Sequence, residues 1–291
     1  MISLKGVVPD MRQRRLHNLV LLNLILALFL SIGIHEVLLL GGFSRLSEDT
    51  VTKDGFRRQT LNEEVLSYIQ NTKDPGKDLG LYLLETDFGR DRLDAGLKKE
   101  TFLGLEDKWA GRDGWDSYLK QCRGIWNDVR YFPIPQPSRG KDYGVSYVDS
   151  WMFERNYGGK RGHEGTDIMA DENVRGLYPV VSMTDGVVRH KGWLEQGGWR
   201  LGIVAPGGTY FYYAHLDSYA DIKEGDTVRA GDLLGYMGDT GYSKKEGTTG
   251  NFPVHLHVGI YLFHGDEEIS VDPYWVLRFI ENRKIKCVYA P

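Results

Sequence analysis

Two histidines one residue apart are the groups in this sequence best suited to chemistry. His255 and His257 lie in the apolar run "NFPVHLHVGIYL", residues 251–262. Side chains alternate between the two faces of a strand, so both imidazoles share one face, and Leu256 and Val258 take the other. Imidazole binds metal ions and transfers protons near neutral pH. The pair therefore indicates two ligands of one metal, a ligand beside a proton carrier, or two half-buried structural histidines.

A second candidate group lies in "RGHEGTDIMA", residues 161–170, where His163 and Asp167 are four positions apart. A fully extended chain would hold their Cα atoms about 13 Å apart. The donor atoms of a tetrahedral zinc site lie only about 3–3.5 Å from each other. Gly162 and Gly165 disfavour a helix here and supply the freedom for a bend. Spacing alone does not distinguish this pattern from chance.

A third candidate is His215, at the end of the strand-like run "YFYYAHLD", residues 210–217. Strand alternation predicts that His215 shares a face with Phe211 and Tyr213. A lone histidine at the end of a strand is usually structural, so His215 gains meaning only from the other two groups. His190 and His264 match no motif, and we interpret them as structural.

Taken in order, the motifs "GHEGTD", "YAHL", "GDTVRAGDLLGYMGDTG" and "HLH" resemble the lysostaphin/LytM-type zinc metalloendopeptidases, which cut peptide bonds in bacterial cell walls. The resemblance covers about residues 146–275. It implies one zinc ion per catalytic domain, with His163, Asp167 and His257 as its ligands. Strand alternation alone leaves the choice between His255 and His257 open, and only the family pattern assigns the second to zinc.

The same resemblance implies roles for three further residues. His215 and His255 would form the catalytic pair beside a zinc-bound water, and Tyr157 would support the oxyanion. Zinc lowers the pKa of bound water toward about 7, and a histidine accepts the proton and returns it to the leaving amine. The implied substrates are peptidoglycan peptides, either glycine bridges or stem-peptide cross-links. A non-catalytic scaffold that binds an envelope partner is the alternative, and a peptidase with a covered site is a third hypothesis.

One segment departs from the family pattern. Between "GDTG" and "HLH" the family has only a few residues, whereas this chain has "YSKKEGTTGNFPV", residues 242–254. Loops at the edge of a groove influence which peptide fits. We therefore expect this segment to border the groove and to shape specificity.

An apolar run, "LVLLNLILALFLSIGI" at residues 19–34, follows a basic N-terminal segment and precedes acidic residues. At about 1.5 Å per residue, the stretch from residue 19 to residue 40 spans about 33 Å, enough to cross a bilayer. The charges predict a cytoplasmic N-terminus, with residues 44–291 on the extracytoplasmic side. We expect an uncleaved, single-pass anchor; a cleaved signal peptide and a buried soluble helix are the alternatives.

The predicted fold is a mostly β catalytic domain whose antiparallel sheets form a substrate groove, preceded by a small α-helical region and one transmembrane helix. Apolar spacing predicts helices within residues 61–70, 79–89 and 115–130, with a break at "DPGKD". The predicted segments are a cytoplasmic tail 1–17, a transmembrane signal anchor 18–41, a linker 42–60, the helical region 61–130, a Pro-rich linker 131–145, the metallopeptidase domain 146–280 and a C-terminal tail 281–291.

Composition narrows the function classes. The formal net charge is −4, which argues against a nucleic-acid partner. The expected partners are peptidoglycan peptides, the membrane through the N-terminal helix, and an envelope protein for which residues 61–130 are a candidate contact surface. Cys122 and Cys287 form no Cys-x-x-Cys pair, so they indicate no zinc framework, and the sequence leaves a disulfide between them open.

Overall fold

The computed structural model describes residues 11–93 and 95–289 and divides into two compact units, Met1–Arg45 and Leu46–Pro291. The first unit contains helix α1 (Met11–Phe43). Its segment Arg14–Ile34 is long and apolar enough to cross a membrane, a criterion of length and composition that a signal sequence also meets. Most of the predicted cytoplasmic tail, residues 1–10, lies outside the described residues.

The helices of the second unit are short. They comprise a 3₁₀ turn (Glu48–Thr52), α2 (Asp54–Arg57), α3 (Glu63–Ile69), α4 (Pro75–Glu85), α5 (Lys99–Trp109), α6 (Trp115–Trp126) and α7 (Tyr274–Ile280). The expected break at residues 74–78 is instead the start of α4. Asp74 accepts the backbone N–H of Lys77, and Pro75 occupies the first turn, where its missing N–H costs nothing. Helix α5 lies outside the predicted helices.

The rest of the second unit is mostly β, as predicted. The strands are β1 (Gln136–Pro137), β2 (Val145–Ser146), β3 (Glu154–Arg155), β4 (Arg161–Gly162), β5 (Thr166–Ala170), β6 (Pro179–Val181), β7 (Gly186–Leu194), β8 (Gly198–Val204), β9 (Tyr210–Tyr219), β10 (Thr227–Val228), β11 (Leu233–Met237), β12 (His255–His264), β13 (Glu267–Val271) and β14 (Lys286–Cys287). The main sheet is antiparallel, in the order β10-β7-β8-β9-β12-β5-β2. Strands β6, β11 and β13 pair alongside this path, and β1 pairs with β14 in parallel.

The helical region packs directly against α7, the helix that follows the strands of the main sheet. Trp126 at the end of α6 is buried, its indole N–H donates to Gln59, and its ring meets the edge of Phe279 in α7 at 5.5 Å. Residues 131–145 were expected to be a linker, yet Phe132 and Ile134 within them are buried. The Pro-rich segment is therefore part of the compact unit at these positions, and the domain boundaries remain predictions.

Both cysteines are free thiols in this structure. Cys122 is buried in α6, and burial raises the pKa of its thiol to about 12. Cys287, in β14, is half-buried, and burial also raises its pKa. Because the thiolate is the reactive form, neither sulfur is activated for chemistry at neutral pH.

Candidate metal centre and catalytic cleft

Strand register brings two of the three candidate zinc ligands, Asp167 and His257, together. In the antiparallel pair formed by β5 and β12, Asp167 lies directly opposite His257. His163 follows β4 in an irregular stretch, so the His-x-x-x-Asp segment is not helical, as expected. Gly165 is needed here because the chain passes close to β12. A Cβ at this position would lie 2.5 Å from the His257 ring and from the carbonyl oxygen of Val258. Only glycine lets this backbone approach β12 so closely.

Three donor atoms converge at this point. Nε2 of His163 lies 3.0 Å from Oδ1 of Asp167 and 3.0 Å from Nδ1 of His257. The distance from Nδ1 of His257 to the same carboxylate oxygen is 2.9 Å. His163 is buried, and the other two residues are half-buried. Among the described residues, this is the group of His, Cys, Asp and Glu side chains whose ligand atoms could hold a metal ion.

The chemistry of these donors fits zinc. Two imidazole nitrogens and one carboxylate oxygen are a usual ligand set for a catalytic zinc ion, and three protein ligands leave one position open. Their mutual distances are close to the roughly 3–3.5 Å that bonds of about 2.0–2.2 Å require in a tetrahedral site. A ligating histidine ordinarily donates its other N–H to an outer acceptor. Nδ1 of His163 has such an acceptor, the carbonyl oxygen of Ser150 at 3.1 Å.

Arg155 of β3 contacts this centre from outside and was not identified in the sequence. Its Nη2 donates to Oδ2 of Asp167 at 2.6 Å and lies 3.1 Å from Nδ1 of His163. The contact occupies one carboxylate oxygen and leaves Oδ1 to face the histidines. Burial raises the pKa of Asp167, but hydrogen bonds from His163 and His257 and the charges of His257 and His255 outweigh it and hold that pKa well below its usual range. The carboxylate is therefore ionised.

His255 shares a strand face with His257, as alternation predicted. Its Nε2 lies 3.8 Å from Oδ1 of Asp167, farther than the three converging donors are from each other. Its Nδ1 lies 2.8 Å from the carbonyl oxygen of Pro253. A carbonyl can only accept, so Nδ1 of His255 donates to it, and Nε2 is the ring nitrogen on the side of Asp167.

His215 also turns toward this cluster, by a route that strand alternation did not predict. Its φ is +63°, in the left-handed region, and its backbone N–H donates to the carbonyl of Gly197. This conformation breaks the alternation of side chains along β9. The prediction that His215 shares a strand face with Phe211 and Tyr213 was therefore wrong. Those two side chains are fully buried in the core, whereas His215 lines the cleft. A left-handed non-glycine residue is costly and is often retained at functional sites.

The imidazole of His215 is held in one tautomer. Nδ1 lies 2.7 Å from the carbonyl oxygen of Thr240, so it donates and Nε2 is free to accept a proton. The ring lies 4.7 Å from that of His255 and 6.0 Å from that of His257. Burial, followed by the charges of His255 and His257, lowers the pKa of His215 well below its ordinary value. His215 is therefore neutral at pH 7.

A cleft of about 400 Å³ opens over these residues. One part of its wall consists of His163, Asp167, His215 and His257. The rest includes residues that the sequence analysis did not single out as functional, namely Arg161, Glu164, His190, Arg200, Tyr210, Tyr212, Tyr261 and Glu268. Alternation along β9 and β12 explains the tyrosines, because every second side chain of these strands points to the cleft.

Tyr157 lies beside the cleft with its polar end engaged elsewhere. Its hydroxyl donates to Glu195 at 3.4 Å, and its ring stacks on Tyr242 with centroids 4.5 Å apart. It is not among the described residues that line the cleft. Its role toward an oxyanion stays a prediction.

The long segment 242–254 packs on the two histidines outside the three-donor group. The ring of Phe252 lies 4.6 Å from that of His215 and 5.0 Å from that of His255. Tyr242 meets His215 edge-on at 6.0 Å. The segment therefore shields both imidazoles from solvent as well as bordering the cleft.

Comparison with known families places two matches along the chain. Residues 41–128 match the family model described as LytM, N-terminal domain. Residues 161–273 match the model of Peptidase family M23. The second match contains His163, Asp167, His215, His255 and His257, and the first covers most of the helical region that lay outside the sequence resemblance.

Individual relatives agree with these matches. The chain is 46% identical over 152 residues to the L-Ala–D-Glu endopeptidase of Bacillus subtilis, covering 52% of this chain and 44% of that protein. It is 33% identical over 106 residues to the glycyl-glycine endopeptidase ALE-1 of Staphylococcus capitis, covering 32% and 28%. The chain thus spans less than half the length of these two relatives. A crystal structure of a Ruminococcus gnavus protein, described as a glycyl-glycine endopeptidase LytM, is 61% identical with a TM-score of 0.82, covering 86% of this chain and 99% of that one.

Proposed function

Because the chain belongs to peptidase family M23, we propose that it is a zinc metalloendopeptidase that hydrolyses peptide bonds of bacterial peptidoglycan. The observation that carries the proposal is the convergence of three ligand atoms beside two histidines, His215 and His255, whose Nδ1 atoms each donate to a backbone carbonyl. A scaffold needs neither the open ligand set nor the two imidazoles oriented beside it. The named relatives that cut L-Ala–D-Glu and glycyl-glycine bonds support the assignment of a peptide substrate.

Three side chains, His163, Asp167 and His257, would hold the zinc ion. When bound there, zinc polarises a carbonyl group and makes a water molecule acidic enough to attack it. Arg155 keeps Asp167 oriented by occupying its second oxygen, and the carbonyl oxygen of Ser150 orients His163.

His215 and His255 would handle the protons. Each donates its Nδ1–H to a backbone carbonyl, which leaves Nε2 as the acceptor for a proton from water. The same nitrogen then carries the proton to the amine that leaves. Phe252 limits the access of bulk solvent to both rings, which keeps that proton in the cleft. Tyr157 would reach the oxyanion by exchanging its contact with Glu195 for one with substrate.

Digestion of purified peptidoglycans with different cross-links tests the proposal. The full chain in detergent is the suitable form, since a fragment starting at residue 131 would expose the buried contact of Phe279 with Trp126. Mass spectrometry is expected to find soluble peptides with new amino and carboxyl ends, released only while zinc is bound. Intact peptidoglycan after exposure to fully zinc-loaded protein would instead support the non-catalytic scaffold.

We also propose that α1 anchors the chain as a single span with residues 44–291 on the extracytoplasmic side. The apolar segment Arg14–Ile34, with arginines at its start and acidic residues beyond its end, supports this orientation. A reporter enzyme that works only outside the cytoplasm, fused after residue 291, is expected to be active. A matched fusion that works only inside the cytoplasm should be silent, and activity of that fusion would contradict the topology.

A further inference from the structure

The cleft contains two arginines that nothing above employs. Arg161, in β4, and Arg200, in β8, line the same cavity as His163, Asp167 and His257. Both side chains are half-buried. Neither forms an ion pair with an acidic residue in the described part of the chain, and neither side chain has a hydrogen-bond acceptor there.

These guanidinium groups lack partners where partners are expected. Nη1 of Arg200 and Nε of Arg161 are buried and have no hydrogen-bond acceptor among residues 11–93 and 95–289. Buried polar atoms are paired in the great majority of cases, and an unpaired one weakens the fold unless a ligand completes it. Two such cations in one cavity point to an anionic group of the substrate.

The acidic residues of the cavity do not neutralise these arginines. Glu164 and Glu268 line it as well, but both are exposed, so water screens their charges. Asp167 is the remaining acid in the cavity wall, and its Oδ2 is already paired with Arg155. The half-buried positive charges of the two arginines therefore act more strongly on a group in the cavity than the exposed carboxylates of Glu164 and Glu268 do.

Tyrosine hydroxyl groups supply neutral donors beside Arg200. The hydroxyl end of Tyr210 packs against Gly202 of β8, and that of Tyr212 packs against Gly197, the residue before β8. A Cβ at either glycine would collide with the hydroxyl. Burial raises the pKa of Tyr210 to about 12, although the nearby charge of Arg200 opposes the shift. The hydroxyl thus keeps its proton at neutral pH and can donate to an anion.

We propose that Arg161 and Arg200, with the hydroxyls of Tyr210 and Tyr212, form a subsite for a carboxylate group of the substrate peptide. A planar guanidinium matches a carboxylate in two parallel hydrogen bonds, and a partly buried site strengthens them. The inference rests on the proposed peptidase function and selects acidic stem peptides over glycine bridges. A glycine bridge has no side-chain carboxylate to place against the arginines.

Calorimetric binding to the full-length, zinc-loaded protein tests the subsite. Two dipeptide probes are compared, L-Ala–D-Glu and L-Ala–D-Gln. In both, the peptide bond is reduced so that it cannot be cleaved, and the C-terminus is amidated. Since hydrogen bonds to charged groups contribute more than neutral ones, the Glu probe is expected to bind about 10- to 100-fold more tightly. A third probe, L-Ala–D-Gln with a free C-terminus, separates a side-chain carboxylate from a terminal one.

Variants locate the source of any preference. R200Q and R161Q are each expected to bring the ratio of the two dissociation constants toward one, whereas R229Q, which removes an exposed arginine outside the cleft, should leave it unchanged. A ratio near one in the wild type overturns the subsite, and so does a preference that survives both cleft variants, since zinc itself would then bind the carboxylate. Should R200Q fail to fold, the wild-type ratio still decides. Failure of the proposed function appears separately, as wild-type protein that cleaves no peptidoglycan.

Discussion

Replacing His257 with alanine is expected to remove zinc from the protein, whereas replacing His255 with alanine should leave zinc bound and stop turnover. The two imidazoles share a strand face, yet only Nδ1 of His257 lies within 3.0 Å of both other donor atoms. Nε2 of His255 lies 3.8 Å from Oδ1 of Asp167, beyond the 2.9 Å at which His257 meets the same oxygen. Loss of one ligand from a three-ligand site leaves no spare donor, so zinc affinity should fall by more than about 100-fold.

The measurement is zinc content by elemental analysis after dialysis against a weak chelator, beside the rate of peptidoglycan hydrolysis. The matched control is H264A, because His264 pairs with Asp49 at 3.4 Å and lies outside the cleft. It should retain both zinc and activity. Equal loss of zinc in H255A and H257A would make both imidazoles ligands. Four protein donors would then close the site, and the scaffold interpretation would take the lead.

Substitution of His215 is the second change with a large expected effect. H215A should lower turnover by about 10²–10⁴-fold, the usual contribution of a general acid–base group, while zinc stays bound. The reason is geometric, since His215 contributes none of the three donor atoms but presents an unprotonated Nε2 in the same cleft. Burial and neighbouring imidazoles lower its pKa and keep it neutral, so it is ready to accept a proton.

Kinetics separate this role from a structural one. In H215A the expected loss lies in kcat, with KM for a soluble peptide nearly unchanged, because His215 is proposed to move a proton and not to hold substrate. H215Q is a useful second variant, since its side-chain amide can still donate to the carbonyl of Thr240 without carrying the proton. Recovery of full turnover in H215Q would contradict proton transfer and assign His215 a positioning role.

The sequence alone predicted correctly those features that follow from the repeat of a single secondary-structure element. The alternation of β12 placed His255 and His257 on one face and the fully buried Leu256 and Val258 on the other, as expected. This succeeds because the period of a strand is a property of its own backbone. The order of the four motifs likewise identified the family before any contact was known.

Helix boundaries were less accessible. The composition of residues 74–78 suggested a break, yet Asp74 and Pro75 are the cap and first turn of α4. Proline ends one helix and begins another with equal ease, so composition alone does not say which. The proline content of residues 131–145 suggested a linker, yet Phe132 and Ile134 within them are buried, which only the folded structure shows.

The sequence by itself determined the mostly β class, the family, the strand face of His255 and His257, and a candidate span in α1. Only the tertiary structure decided the direction of His215, because two other segments of the chain hold it. The carbonyl of Gly197 accepts its backbone N–H, and the carbonyl of Thr240 accepts the Nδ1–H of its ring. The tertiary structure also brought Arg155 to Asp167 and placed Arg161 and Arg200 in one cleft. These features depend on contacts between distant segments, and no periodicity within a single segment encodes them.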